Sequence, residues 1–236
     1  MRVVRLDYLW LAIAIALMIA VSSGIAPDSI QAPPLASLTS ATLPSTVEPK
    51  DAEAIQWQVV VAFLRTTAYA EGVIGPNLDP YRTQALSYRQ IPRDYAFKQH
   101  PYWTDKIIPC SGSLCSACTG TYQFHPDTYE LVRKRHKRRY WFNDGDFSPR
   151  NQDLAAIYLM SDVGIWKVLF KDLKIINGKP VVERSSFAKA LKNGSSEWAS
   201  FPRFEDDAHG GLGQSAKSTA SLWKEFSKQL TSLSGG

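Results

Sequence analysis

The residue best placed to do acid–base chemistry in this chain is a glutamate where a helix stops. In the stretch Ala62-Phe63-Leu64-Arg65-Thr66-Thr67-Ala68-Tyr69-Ala70-Glu71-Gly72, Ile55, Val59, Ala62, Phe63, Thr66 and Ala70 recur at helical spacing, so one face is built for a core. Gly72 is the residue type that ends helices in a left-handed turn. Glu71 then sits at the negative end of the helix macrodipole, where charging a carboxylate is unfavourable. An apolar wall from Phe63 or Tyr69 would add desolvation in the same direction. Both effects raise the pKa, as a general acid working near neutral pH requires. Asp79 follows eight residues later and could supply the second carboxylate of an acid–base pair. Asp before Pro80 equally reads as the opening of a turn.

Cys110, Cys115 and Cys118 form the second cluster with chemical potential. With His100 or His125 they could bind zinc. In an oxidising compartment one disulfide and one leftover thiol is the stronger expectation, and three pairings stay open. Cys115 and Cys118 have the spacing of a redox pair but lack the strand–helix context such pairs use. The run Arg133-Lys134-Arg135-His136-Lys137-Arg138-Arg139 is the most basic stretch. It reads first as a solvated face at a helix C-terminus, and second as a dock for anionic wall polymer or lipid. It lacks the interleaved aromatics and the motif of a nucleic-acid site, and no nucleic-acid partner is expected.

These residues must be held by a domain, and the rest of the chain shows one. Of 236 residues, 44% are hydrophobic and 21% charged, with net charge +5, so a globular core with an anionic partner is expected. Residues 1–26 carry Arg2 and Arg5, then a short apolar run, then small residues, the pattern of a signal peptide or retained signal-anchor. Residues 27–50, rich in Pro, Ser and Thr, read as a disordered linker. The domain proper is expected over 51–232. Its first helix runs from about Asp51 to Ala70. Gly120-Thr121-Tyr122-Gln123-Phe124 alternates and reads as a short strand or hairpin arm. Pro126 opens a helix whose stripe is Tyr129, Val132, His136 and Tyr140. Ser148 caps another, with Pro149 at its first position and Leu154, Ile157 and Tyr158 buried. Asn177-Gly178 marks a tight turn. Ser185 or Ser186 caps a helix stopping at Asn193-Gly194, and Trp198 to Pro202 seals the core. Ala216, Ala220, Trp223, Phe226 and Leu230 seat the last helix. The sum is an α+β domain dominated by helix, with one small β-hairpin.

Six segments in order carry a more specific signal. They are Ala62-Phe63-Leu64 with Ala68 and Glu71-Gly72; His100-Pro101; Gly120-Thr121-Tyr122-Gln123; Asp146-Phe147-Ser148-Pro149 with Gln152-Asp153; Trp198-Ala199-Ser200-Phe201-Pro202; and Gly211-Leu212-Gly213-Gln214. Together, over about Val60 to Leu230, they resemble the phage lambda type of endolysin, a lysozyme-like lytic transglycosylase family. The resemblance implies a lysozyme-like fold and cleavage of the β-1,4 bond between N-acetylmuramic acid and N-acetylglucosamine in peptidoglycan. It implies a single catalytic residue, Glu71, and a 1,6-anhydro product. It places Tyr122, Gln123, Tyr81 and Gln214 on the substrate. No metal and no cofactor is implied. The partner is a glycan strand, the chain is expected to act as a monomer, and the site of action is the periplasm or cell-wall space. The sequence departs from the family at Tyr81-Arg82-Thr83, where the family has a Gly-Gly turn after a Tyr. It departs again in the Cys-rich loop, and in the acidic segment Glu205-Asp206-Asp207.

Overall fold

The helical spacing that ends at Ala70 forms one long helix, α1 (Pro49–Ala70). The computed structural model describes residues 49–74, 78–84, 90, 91, 93, 95–102, 110, 111, 114–136, 146–203 and 217–235. The expected signal or anchor over 1–26, nearly all of the linker, Tyr140 and Gln214 therefore lie outside the described residues. Among the described residues, no helix is long and apolar enough to cross a membrane. After α1 come a 3-10 turn at Pro80–Arg82 and strands β1 (Cys110–Ser111) and β2 (Leu114–Cys115). Helices α2 (Pro126–Arg135), α3 (Pro149–Asp162) and α4 (Ile165–Lys171) follow. Then come β3 (Lys174–Ile176), β4 (Lys179–Val181), α5 (Arg184–Gly194) and α6 (Thr219–Leu233). The α+β expectation holds, with two small antiparallel pairs among the described residues in place of one: β1 with β2, and β3 with β4.

The core is aromatic and centres on Phe63. Its ring meets Trp166, Phe187, Phe201 and Phe226 edge-on, with centroids 5.8, 5.8, 6.0 and 6.3 Å away. Edge-to-face contact sets the positive rim of one ring against the negative face of another. One side chain thus joins α1, α4, α5, α6 and the Trp198–Pro202 segment. Two buried threonines lie in the last turns of this helix, and their hydroxyls are satisfied because Thr66 and Thr67 donate back to the carbonyls of Ala62 and Phe63 at 2.7 and 2.9 Å. Helix α3 is central too. All residues from Asn151 to Met160 are buried, more than the one-sided face expected from Leu154, Ile157 and Tyr158.

Several caps form as the residue types dictate. Ser148 accepts from the Asn151 amide at 3.4 Å with Pro149 at the first helical position. Asn177 and Gly178, both left-handed at φ 52° and 73°, turn β3 into β4. At α5 neither serine caps. Glu183 takes the cap position without a side-chain bond. Ser186 is buried and donates instead to Asp172 at 2.9 Å. Gly194 ends that helix for packing reasons, since a Cβ there would stand 2.8 Å from the Phe201 ring. Helix α6 starts at Thr219 behind the cap Ser218, which puts Thr219, Leu222, Phe226 and Leu230 inward and leaves Ala220 exposed. Phe226 and Leu230 are thus buried as expected and Trp223 packs against the core, Ala216 lies outside the described residues, and Ala220 is the departure from the expected stripe.

The basic run is largely neutralised where it is described. Arg133 pairs with Glu130 at 2.6 and 2.8 Å, and Arg135 with Asp162 at 2.6 Å. His136 stacks flat on Tyr158, centroids 4.4 Å apart. Residues 137–139 lie outside the described set. The solvated-face reading suits this half of the run.

Candidate active site

Glu71 occupies the place its sequence predicts. The amide of Val73 donates to the Ala68 carbonyl at 3.3 Å and that of Gly72 to Tyr69 at 3.1 Å. Gly72 is left-handed at φ 72°. This pair of bonds is the Schellman stop, and it makes Glu71 the C-cap residue. The expected wall differs. Phe63 turns into the core, and Tyr69 leans on α6, its hydroxyl 3.4 Å from Ser221 Oγ. The group that meets Glu71 comes from 129 residues downstream: Ser200, 4% exposed, donates to Oε1 at 2.5 Å. Burial pushes the Glu71 carboxyl up to about 7, against the opposing pull of the Ser200 hydrogen bond. A carboxyl with that value holds its proton in part at neutral pH and can both give and take it.

The counterbalance gives a test. Without the Ser200 hydroxyl, the charged form of Glu71 loses a charge-assisted donor. Ser200→Ala is expected to move the alkaline arm of the activity profile upward by about one pH unit, from the worth of a hydrogen bond to a charged group. Rate profiles of both proteins across pH 5 to 9 check this, and superimposable alkaline arms would remove Ser200 from the site.

Asp79 does what an Asp before Pro does. Its Oδ1 accepts from the Tyr81 amide at 3.0 Å, and its other oxygen lies 3.4 Å from Arg82. It caps the 3-10 turn, with its side chain 49% exposed.

The Gly120–Gln123 stretch is a tight turn rather than a strand arm. Thr119 and Phe124 exchange both backbone bonds, at 3.0 and 3.1 Å, and Gly120 and Gln123 are left-handed at φ 82° and 49°. The alternation is real, but the neighbour that fixes this stretch is a side chain. Gln152, fully buried, accepts from the Thr121 amide at 3.0 Å and donates to the carbonyls of Tyr81 and Phe147 at 3.1 and 3.0 Å. A Cβ on Gly120 would lie 2.1 Å from the Gln152 Oε1. The Gly-Thr-Tyr-Gln and Asp-Phe-Ser-Pro-x-x-Gln-Asp pieces are thus two halves of one joint.

Tyr122, Tyr81 and Gln123, the other expected residues that the structure describes, gather at this joint. Tyr122 is 3% exposed, and its hydroxyl donates to Asp153 Oδ1 at 2.7 Å. The Tyr81 hydroxyl reaches the same carboxyl at 3.1 and 3.2 Å. Gln123 is part-buried, with its amide donating to the carbonyls of Gly120 and Thr83 at 2.7 and 3.1 Å. The indole of Trp198 donates to the Tyr122 carbonyl at 3.1 Å, so the turn is joined directly to the segment that carries Ser200. His100 is a buried clamp under the turn. Its Nε2 bonds the Phe124 carbonyl at 2.8 Å while Nδ1 accepts from the Tyr102 amide at 3.2 Å. Burial keeps it neutral, with its pKa lowered to about 4. Cys118 carries a free thiol, pushed up by burial, with the nearby Glu71 charge adding to the rise. No group of three or more metal-ligating side chains occurs among the described residues.

Sequence reasoning missed Ser200 and Asp153. Both lie inside motifs it singled out, but Ser200 was read only as part of a core seal. Asp153 had one signal: a carboxylate at the head of an apolar helix must find partners if the helix is buried all round.

The chain matches the family model described as Endolysin over residues 61–233. Among solved structures it is similar to bacteriophage lambda lysozyme complexed with a chitohexasaccharide, at 22% identity and TM-score 0.53, covering 73% of this chain and 94% of that one. A second structure of lysozyme from bacteriophage lambda gives 21% identity and TM-score 0.50 over the same shares. No curated protein matches the chain.

Proposed function

Because the chain belongs to the endolysin family, and so is a peptidoglycan-cleaving glycosidase, we propose that it cuts the MurNAc-β-1,4-GlcNAc bond by lytic transglycosylation, with Glu71 as sole acid and base. The observation that carries this is the setting of Glu71: a carboxyl raised to about 7 by burial and gripped by one serine. The protonated carboxyl gives its proton to the bridging oxygen as the bond from C1 of the muramic acid breaks. The resulting carboxylate then takes the proton of the C6 hydroxyl, whose oxygen closes on C1. Glu71 ends as it began, protonated, and no water is consumed. The substrate's own hydroxyl is already next to the reacting carbon, which is why one carboxylate suffices.

Hydrolysis would need a second carboxylate free to orient water. The two described candidates are engaged: Asp79 caps a turn, and Asp153 takes two tyrosine hydroxyls. Chitohexasaccharide, the ligand of the lambda lysozyme structure, is a chain of N-acetylglucosamine, half of the proposed substrate's repeat. In this reading Gln123 and Tyr81 line the glycan cleft, Tyr122 shapes it from beneath, and Gln214 binds the substrate. Residues 51–232 act as a monomeric catalytic domain. Residues 1–26 export or tether it, residues 27–50 space it from the membrane, and the work is done in the wall space. Mass analysis of peptidoglycan digested by the purified chain tests the chemistry. Fragments ending in anhydromuramic acid, one water lighter, are expected, and reducing muramic acid ends would replace this reading with a water-using muramidase.

A further inference from the structure

Asp153 has no part in the chemistry above, yet the fold gives it a costly place. It is 7% exposed, at the fifth position of the central helix α3. A carboxylate so buried costs several kcal/mol unless donors meet it, and an apolar side chain would pack α3 more cheaply. The donors are two tyrosine hydroxyls from segments 41 residues apart in sequence: Tyr122 at 2.7 Å and Tyr81 at 3.1 and 3.2 Å. Gln152, the preceding residue, binds the backbone of the same two segments, at Thr121 N and Tyr81 O. The connection continues toward the reacting carboxyl. The Tyr122 carbonyl accepts from the Trp198 indole, and two residues after Trp198 stands Ser200, which holds Glu71.

We propose that Asp153 is a positioning residue for glycan cleavage: through Tyr81 and Tyr122 it locks the 80–82 lip and the 120–123 turn in register with Glu71. This rests on the glycan-cleaving reading: without Asp153 the backbone of the lip stays tied to the turn through Gly120 N on Thr83 O at 2.9 Å and the amides of Gln123 and Gln152, but the Tyr81 and Tyr122 side chains lose the shared anchor that sets their placement. A displacement of about 1 Å in a bound substrate can cost a hundredfold in rate. Packing alone does not require an acceptor here, whereas a two-hydroxyl anchor does. An amide retains one acceptor within reach of both tyrosines, at the Oδ1 position 2.7 and 3.2 Å from them.

The experiment compares Asp153→Ala, Asp153→Asn, Tyr81→Phe and the double variant Asp153→Ala/Tyr81→Phe in the full chain, by kcat and KM on soluble peptidoglycan strands. Measurements are made at a temperature where circular dichroism shows each protein folded. The expected result is a loss of at least about tenfold in kcat/KM for Asp153→Ala, substantial rescue by Asp153→Asn, and a double variant no worse than Asp153→Ala alone. The alkaline arm of the pH profile, set by Glu71, stays in place. Should Asp153→Ala not fold, Tyr81→Phe carries the test, since it removes one hydroxyl from the lip and is expected to lose several-fold in kcat/KM. Wild-type kcat/KM in Tyr81→Phe, or in folded Asp153→Ala, overturns the proposal, as do losses that simply add in the double variant. An inactive wild-type chain would instead refute the glycan-cleaving reading and is distinguished by that control.

Discussion

Glu71→Gln is expected to abolish cleavage of peptidoglycan, by at least ~10²-fold, while leaving a folded and more stable protein. The loss follows from the chemistry. The amide keeps the shape of the side chain and can still accept from Ser200, but it has no proton to give to the leaving oxygen. The gain follows from burial. The folded-state pKa of Glu71 is about 7 against an ordinary 4.5. A raised carboxyl contributes stability that is fully present below the unfolded value and is lost as pH rises through the folded one. At pH 8 the native chain therefore carries a charge that its surroundings disfavour, and the glutamine removes that penalty. The expected gain at pH 8 is about 1–3 kcal/mol, shrinking to nothing near pH 4. Asp153, raised to about 7 by burial as well, titrates in both proteins and cancels from the difference. Dye release from labelled peptidoglycan and denaturant curves at the two pH values measure both halves. Equal activity in the two proteins would remove Glu71 from the chemistry, and a variant less stable at pH 8 would remove the burial argument.

Phe63→Ala is expected to give the largest loss of stability, ~3–5 kcal/mol, the range for deleting a buried aromatic ring. Phe63 is fully buried, and four other aromatic rings meet it. Those rings come from four separate parts of the chain, so the hole cannot close by shifting one element. The loss also has a functional side. Phe201 is one of the four, and it is the residue after Ser200. Loosening it frees the donor on Glu71, so kcat is expected to fall even at temperatures where the variant is folded. Urea unfolding checks the first effect, and a loss under about 1 kcal/mol would show that the core closes over the gap.

What could be read from the sequence was what neighbouring residues decide among themselves. The stop at Glu71-Gly72, the Ser148-Pro149 start and the Asn177-Gly178 turn each follow from a few adjacent residue types, and each formed as expected. The Gly120–Gln123 stretch misled because its alternation suits a strand equally well. What decides it is Gln152, packed where any Cβ on Gly120 would be. In α6 Trp223, Phe226 and Leu230 face the core as their spacing dictates, whereas Ala220, a residue that suits a buried or an open face equally, is exposed. Ser200 on Glu71 joins positions 129 apart, and a contact of that kind leaves no local pattern. Asp153 lay in a quoted motif, but its purpose depends on two tyrosine hydroxyls that only the folded chain brings together.

The central claim concerns the proton on one side chain, and it can be observed without any substrate. Carbon-13 labelling of the glutamate carboxyls, with the Glu71 signal assigned by its absence in Glu71→Gln, gives that group's titration directly. The account predicts a midpoint near 7 in the wild-type chain, moving higher in Ser200→Ala. A midpoint near the ordinary 4.5, indifferent to Ser200, would contradict it.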